Sequence, residues 1–316
     1  MQVPNLLSHR AAEPQLTGTV LLVRPAVFGF NSETAATNVF QTPAAATVQQ
    51  EVAELARTEF DAFAAQLRAA GLHVLVFQDP GTPVTPDSLF PNNWVSFHPG
   101  GQAVLYPMHA PNRRDECRAA VFELLAGQGF TFPTVIDLRA AEARAEFLEG
   151  TGSLVLDRVR RVAYAAISPR THPNAVRAWA AQLGYTPFLF TALDAAGTAI
   201  YHTNVLLSVG ETVAVACFEA LPDPTERADL REQLATGGRL VVAITGAQLS
   251  AFAGNMLQVQ PVGRGPLLVM SARAWAALTA DQQIAIQART DLLTASLDII
   301  ERVGGGSARC MIAEVF

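Results

Sequence analysis

The sequence predicts an α/β protein made of five strand–strand–helix–strand units that close into a ring. Three observations predict it. Four successive stretches repeat one order of elements, the two chain ends supply the halves of a fifth, and a polar residue recurs near the start of each unit.

In chain order, “GTVLLVRP” reads as a strand, “VQQEVAELARTEFDAFAAQLRAAG” as a helix and “LHVLVFQ” as a second strand. This first segment lacks a leading strand. The stretch “NWVSFHPGGQAVLYPMHAPNRRDECRAAVFELLAGQGFTFPTVIDL” is a complete unit. Its helix follows from Cys117, Val121, Leu124 and Leu125 at helical spacing, with Gly127 and Gly129 as a stop. The next unit gives strands at Ser153–Leu156 and Arg161–Ala166, a helix from His172 to Leu183, and a strand at Thr186–Leu189. “TNVLLSVGETVAVACFEALPDPTERADLREQLATGGRLVVAI” repeats the order, and the stretch from Asn255 to Ile300 repeats it with a longer helical part. The closing run, Met311–Phe316, is a strand with nothing after it. Placed before the first segment, it completes the fifth unit and leaves no orphan edge.

Composition narrows the function. Half of the 316 residues are apolar, 16% are charged, the net charge is -6 and there is no lysine. No basic patch offers a footprint for nucleic acid, and no apolar run reaches the ~20 residues of a membrane span. The amino terminus, “MQVPNLLSHRAAEPQ”, has no secretion signal, so a cytoplasmic protein is expected. Cys117, Cys217 and Cys310 are odd in number and widely spaced, which predicts free thiols in a reducing compartment. Six scattered histidines, with no HExxH or CxxC, predict neither metal nor cofactor. A small-molecule partner is expected, and a homodimer is compatible with the sequence.

The recurring polar residues are Asn93, Glu149, His202, Asn255 and Cys310, at intervals by subtraction of 56, 53, 53 and 55. Equivalent positions in a ring face one axis, so an amide, a carboxylate, an imidazole, a second amide and a thiol should converge. The end “GGGSARCMIAEVF” brings Cys310 in through glycines, which allow close backbone approach. A cysteine facing a histidine makes a nucleophile and its general acid/base. Glu149 can accept substrate N–H groups. Cys117, Cys217 and Asn255 read as structural.

These residues resemble the guanidine-modifying superfamily of arginine deiminases, dimethylarginine hydrolases and amidinotransferases, which share the five-bladed α/β propeller (pentein) fold. “GGGSARCM” is similar to its nucleophile turn, “EGTG” to its acidic strand start and “HTN” to its His-x-Asp. “PDSLFPNN” is similar to its substrate strand, and “PNRR” and “SPRT” to its arginine motifs. “FPNNW” and “APNRR” resemble the citrulline-utilisation hydrolase branch most. The resemblance covers nearly the whole chain and implies one catalytic domain over 1–316. It implies Cys310 as nucleophile, His202 as acid/base and Glu149 as the carboxylate that orients substrate nitrogens. It implies Asp87, Asn93 and Asn204 as substrate-binding residues, and Arg113 and Arg170 as holders of an amino acid's α-carboxylate.

Two departures bear on the substrate. Asn93 and Asn204 stand where the family has aspartates. A guanidinium prefers anionic partners, whereas an amide both donates and accepts and suits a neutral ureido group. The expected reaction is therefore citrulline to ornithine through a thio-intermediate, with a Cys310–His202 ion pair or Arg309 favouring the thiolate. Arginine or methylarginine deimination (dimethylaminohydrolase activity), amidinotransfer to an amine, and a non-catalytic amino-acid-binding propeller are the alternatives. The aperiodic stretch “FGFNSETAATNVFQTPAAAT” is expected to cover the pocket mouth.

Overall fold

The computed structural model describes residues 13–42 and 49–316. Most of the amino-terminal stretch inspected for a secretion signal, the last residues of the aperiodic stretch and the first residue of the first helix (position 48) lie outside the described residues. Among the described residues, no helix is long and apolar enough to cross a membrane.

Five three-stranded sheets make up the α/β fold. The first joins the chain ends: β1 (Thr19–Arg24) lies between β2 (His73–Gln78) and β15 (Ala313–Val315). The second holds β3 (Val95–His98), β4 (Gln102–Leu105) and β5 (Thr134–Asp137). The third holds β6 (Val155–Asp157), β7 (Val162–Ala166) and β8 (Thr186–Phe190). The fourth holds β9 (Leu207–Val209), β10 (Val213–Ala216) and β11 (Leu240–Ala243). The fifth holds β12 (Leu257–Val259), β13 (Leu267–Ser271) and β14 (Asp291–Ala295).

Every sheet has one plan. The leading strand pairs antiparallel with the middle strand, which pairs parallel with the third. A parallel pair needs a long crossover, and a helix supplies it each time. The carboxy-terminal run fills the leading position of the first sheet, with Thr19 opposite Val315 and Leu21 opposite Ala313.

The helices follow the apolar spacing. Gln49–Ala69 turns Val52, Ala56, Phe60, Phe63 and Leu67 inward, at intervals of three and four residues. Each fully buried phenylalanine contributes about 1.5–3 kcal/mol. Their cluster continues through Val20, Val259 and Val269 to Met311 and Ile312, beside Cys310. The helix Pro173–Leu183 begins at a His172 cap and stops at Gly184 in the left-handed conformation. The long helical part of the last unit is two helices, Ala272–Ala277 and Ala280–Gln287. Thr279 and Gln282 form a capping box that starts the second.

The structure shifts one expectation. The recurring polar residues stand on short turns ahead of the leading strands, not on the strands themselves. Asn93 ends the helical turn Pro91–Asn93, Glu149 precedes Gly150–Ser153, and His202 precedes Thr203–Leu206. A turn compresses the chain along its axis, so a long side chain at its start can reach inward. The leading strands are neighbours: β15 lies against β3, β6 against β9, and β9 against β12. Gln15 links two of them by donating to Leu156 O (2.9 Å) and Val209 O (3.0 Å).

Close approach between units requires Gly254, where a Cβ would run into the Val205 carbonyl oxygen. Backbone on one side and a buried turn on the other leave nothing free to yield. Gly254→Ala is expected to cost about 1–3 kcal/mol, read as a lower urea midpoint with unchanged slope. An unchanged midpoint would show that the units are not locked at this contact.

Candidate active site

The turns converge on one small cavity lined by Asp87, Asn93, Arg113, Arg170, His202 and Cys310, with Asn38, Phe90, Tyr201 and Gly304–Gly306 completing its wall. Glu149 is fully buried against His202, and Asn204 touches the Cys310 sulfur. All eight residues singled out from the sequence are thus brought together.

Cys310 follows a tight turn in which its N–H donates to Ser307 O (2.9 Å). Gly305 has φ 65°, and a Cβ there would meet Asn38 Nδ2 at 2.6 Å, so glycine is required. The sulfur accepts from Asn255 Nδ2 (3.2 Å) and Asn204 Nδ2 (3.5 Å). The guanidinium of Arg309 turns away from the cavity, donating to Ile312 O (2.9 Å) and Glu314 Oε2 (2.8 Å). Its hydrogen bonds go elsewhere, so any help that Arg309 gives the thiolate comes through its charge alone.

His202 Nε2 lies 2.8 Å from Glu149 Oε2. Burial alone would raise the Glu149 pKa. The charge of Arg170, the His202 hydrogen bond and Arg113 outweigh it and hold the carboxyl well below the usual range. An ionised carboxylate only accepts, so Nε2 carries the proton and Nδ1 of the neutral ring is left bare. Burial lowers the His202 pKa to about 4, against the opposing pull of Glu149. At neutral pH the imidazole is therefore uncharged and can take a proton. It is bonded to Glu149 rather than ion-paired with Cys310, contrary to the sequence-based expectation.

Both arginines are buried and engaged. Arg113 grips Glu116 with two hydrogen bonds (2.8 and 2.9 Å) and donates to Asn93 Oδ1 (2.8 Å). It also stands 3.6 Å from Glu149 and 3.8 Å from Asp87. Despite burial, these carboxylates keep it firmly charged. Glu116 is pushed up to about 7, by burial first and by the neighbouring carboxylates, against the pull of Arg113. Arg170 donates to Thr34 O (2.9 Å) and Thr37 Oγ1 (2.9 and 2.7 Å), 3.5 Å from Glu149. Asp87 Oδ2 accepts from Asn31 (2.8 Å) and Thr34 (3.2 Å), while its buried Oδ1 has no partner.

A thiol, a neutral imidazole with a bare nitrogen, a carboxylate behind it and an orphaned acceptor form the parts of a nucleophilic site for a small polar substrate. The profile of the family described as N,N dimethylarginine dimethylhydrolase, eukaryotic, matches residues 24–316. The chain belongs to this family. It is a pentein-superfamily enzyme, a hydrolase of non-peptide C–N bonds of the amidino or ureido kind. Solved structures share the fold. The N-terminal domain of ArgZ, an arginine dihydrolase from the ornithine–ammonia cycle in cyanobacteria, was solved as a cysteine-to-serine mutant with substrate. It superposes with TM-score 0.72 and 15% identity over 94% of this chain and 97% of that one. AgrE in a ternary complex with ornithine and NAD+ gives 0.72 and 18%, over 94% of this chain and 39% of that one. DDAH from Pseudomonas aeruginosa, a cysteine-to-serine mutant complexed with citrulline, gives 0.64 and 14%, over 95% and 99%. The comparison with curated proteins gave no match.

Three residues of this dimethylhydrolase-family site escaped the sequence reading. Tyr201 packs at a tilt against His202 (4.7 Å between ring centroids), lies under the Arg170 guanidinium (5.0 Å) and donates to Gly305 O (2.6 Å). Its only sequence signal is its place next to His202. Glu116 is three residues from Arg113 on an apparently solvated turn. Asn255 fell on the repeat but was assigned no chemistry.

The buried imidazole has a consequence for pH. Between pH 6.5 and about 4 the unfolded chain binds a proton on His202 and the folded protein does not. Stability from this residue is complete above pH 6.5 and falls as the medium is acidified through that window. Glu116 acts oppositely, because the folded protein holds its proton up to about pH 7. The His202 contribution is therefore isolated by comparing the wild type with His202→Gln. From about pH 7.5 to about pH 5 the wild type should lose about 2 kcal/mol relative to the variant. Parallel pH dependence in urea titrations would contradict the burial of a neutral ring.

Proposed function

We propose that this chain hydrolyses the ureido C–N bond of citrulline, giving ornithine, ammonia and carbon dioxide through a covalent intermediate on Cys310. One observation carries the choice of a neutral substrate. Arg113 donates to Asn93 Oδ1, which fixes the amide's orientation; its NH2 lies against Gly152 near the His202 ring, and one N–H goes to Asn92 Oδ1 (3.0 Å). In this reading the other N–H is offered to the ligand. It complements a ureido C=O and mismatches a guanidinium, which has only donors. The citrulline bound to DDAH and the arginine dihydrolase activity of ArgZ support a substrate of this shape.

In this reading the five sheets form a closed propeller, a single catalytic unit with Cys310 at its axis. The thiol proton passes to the bare Nδ1 of His202 as the sulfur attacks the ureido carbon. The C–S bond forms, the bond from carbon to the side-chain nitrogen breaks, and His202 gives its proton to that nitrogen, releasing ornithine. Water, losing a proton to His202, then hydrolyses the S-carbamoyl group, and carbamate breaks down to ammonia and carbon dioxide. Glu149 holds the ring and steadies the transient imidazolium. The unpartnered Asp87 Oδ1 receives the α-ammonium group.

The cavity has room for only about one water (about 10 Å3), so a substrate needs the wall to move. Residues 31–42 contribute Asn38 to that wall and pack behind it. Asn38 and Gln41 donate to Gly305 O (3.2 Å) and Gly304 O (3.0 Å), and Thr34 and Thr37 occupy Arg170. An α-carboxylate arriving at Arg170 would replace these lid contacts.

A second reading, hydrolysis of a guanidine, is favoured by charge. Asp87, Glu116 and Glu149 gather around Arg113 and Arg170, which makes the wall rich in carboxyl groups. Assays with citrulline, arginine and dimethylarginine separate the two readings. Ornithine from citrulline, abolished in Cys310→Ala, is expected; citrulline accumulating from either guanidine would reverse the assignment. Asn93→Asp should lower the citrulline-to-arginine ratio of kcat/KM at least about tenfold, and an unchanged ratio would remove Asn93 from substrate selection.

A further inference from the structure

We propose that Asn255 is a catalytic hydrogen-bond donor that holds the Cys310 sulfur and stabilises negative charge on it. This inference rests on the reading of Cys310 as nucleophile. Asn255 is fully buried at the start of the fifth sheet's leading turn, and three of its four hydrogen-bonding positions are filled from distant parts of the chain. Its Oδ1 accepts from the backbone N–H of Arg309 (3.0 Å), the residue immediately before the cysteine. Its Nδ2 donates to Asn204 O (2.9 Å) and to Cys310 Sγ (3.2 Å).

These partners leave the amide one orientation. Flipped, it would set NH2 against the Arg309 N–H, and its oxygen against the Asn204 carbonyl and the sulfur. A backbone donor thus forces an N–H to point at the reacting atom. Asn204 is different. Its Nδ2 is 3.5 Å and its Oδ1 3.9 Å from the sulfur. It can accept from the thiol or donate to the thiolate, whereas Asn255 can only donate.

Such a donor is useful here because, among the described residues, no positively charged group donates a hydrogen bond to the sulfur: Arg113 and Arg170 line the cavity but are engaged by Glu116, Asn93, Thr34 and Thr37. His202 is neutral and bonded to Glu149, the Arg309 guanidinium faces Glu314, and a ureido substrate brings no charge. As the thiol gives up its proton, negative charge develops on sulfur inside a site closed to water. A hydrogen bond to an ionised acceptor is about twice as strong as a neutral one, and here it is already oriented. The donor helps only the charged form of the sulfur, so its removal should act on proton loss and not on substrate capture.

The test is the pH dependence of Cys310 alkylation by iodoacetamide, read by peptide mass mapping so that Cys117 and Cys217 are scored separately. Asn255→Leu removes the donor at similar volume, and Asn255→Asp turns an oxygen toward the sulfur. In both, the midpoint of the alkylation curve should rise by about one pH unit or more. The loss in kcat should shrink as pH is raised, with KM little changed. If either variant fails to fold, Asn255→Ala reads the same midpoint without added bulk or charge. A midpoint within a few tenths of wild type, or a pH-independent loss of kcat, would overturn the proposal. Alkylation needs no substrate, so a wrong substrate assignment leaves this readout intact. Normal turnover by Cys310→Ala would instead show that the nucleophile reading had failed.

Discussion

The carboxylate of Glu149 is the constraint on which the site depends. It is wholly removed from water, and an isolated charge in that position would be prohibitive. It is tolerated because the chain surrounds it: the His109 N–H donates at 3.0 Å, His202 at 2.8 Å, and Arg170 and Arg113 stand at 3.5 and 3.6 Å. Those partners come from three sheet units, so the charge is satisfied only when the units are assembled. Taking one charge from such a set costs about 3–5 kcal/mol in general, because the rest are left uncompensated. The same carboxylate decides the chemistry by fixing which nitrogen of His202 carries the proton.

Orientation passes outward from charged and backbone groups into the two amides that face the substrate and the sulfur. Arg113 sets Asn93, and the Arg309 N–H sets Asn255. Neutral amides in these positions avoid adding to an anionic cluster and lose none of their direction, since each is pinned on its far side. Under the proposed function, recognition relies on the placement of donors and acceptors, with net charge secondary. In the proposed reaction, residues 31–42 close over the site and give those hydrogen bonds a low-dielectric setting.

The repeat was legible because strands and helices carry opposite periodicities, and five buried middle strands cannot hide theirs. The last run was assignable to the first sheet because an apolar strand without a partner must pair somewhere. Convergence of Glu149, His202 and Cys310 followed from spacing alone. What stayed hidden was what depends on partners far away in sequence. Asn255 has a role only when Asn204 and the Arg309–Cys310 turn reach it from two other segments. Arg309 adjoins the cysteine in sequence, yet points away because Glu314 and Ile312 O satisfy it. The helical turns ahead of the leading strands were missed because three to four residues are too few to show a period.

The central claim is that the Cys310 sulfur takes the carbamoyl group of a neutral substrate. Mixing the protein with citrulline, quenching in acid on the millisecond scale and weighing the intact chain tests it most directly. The account predicts a transient species heavier by one carbamoyl group, mapped to Cys310, which decays as ornithine appears. Ornithine formed with no such species at any time, or with the added mass on another residue, would contradict it.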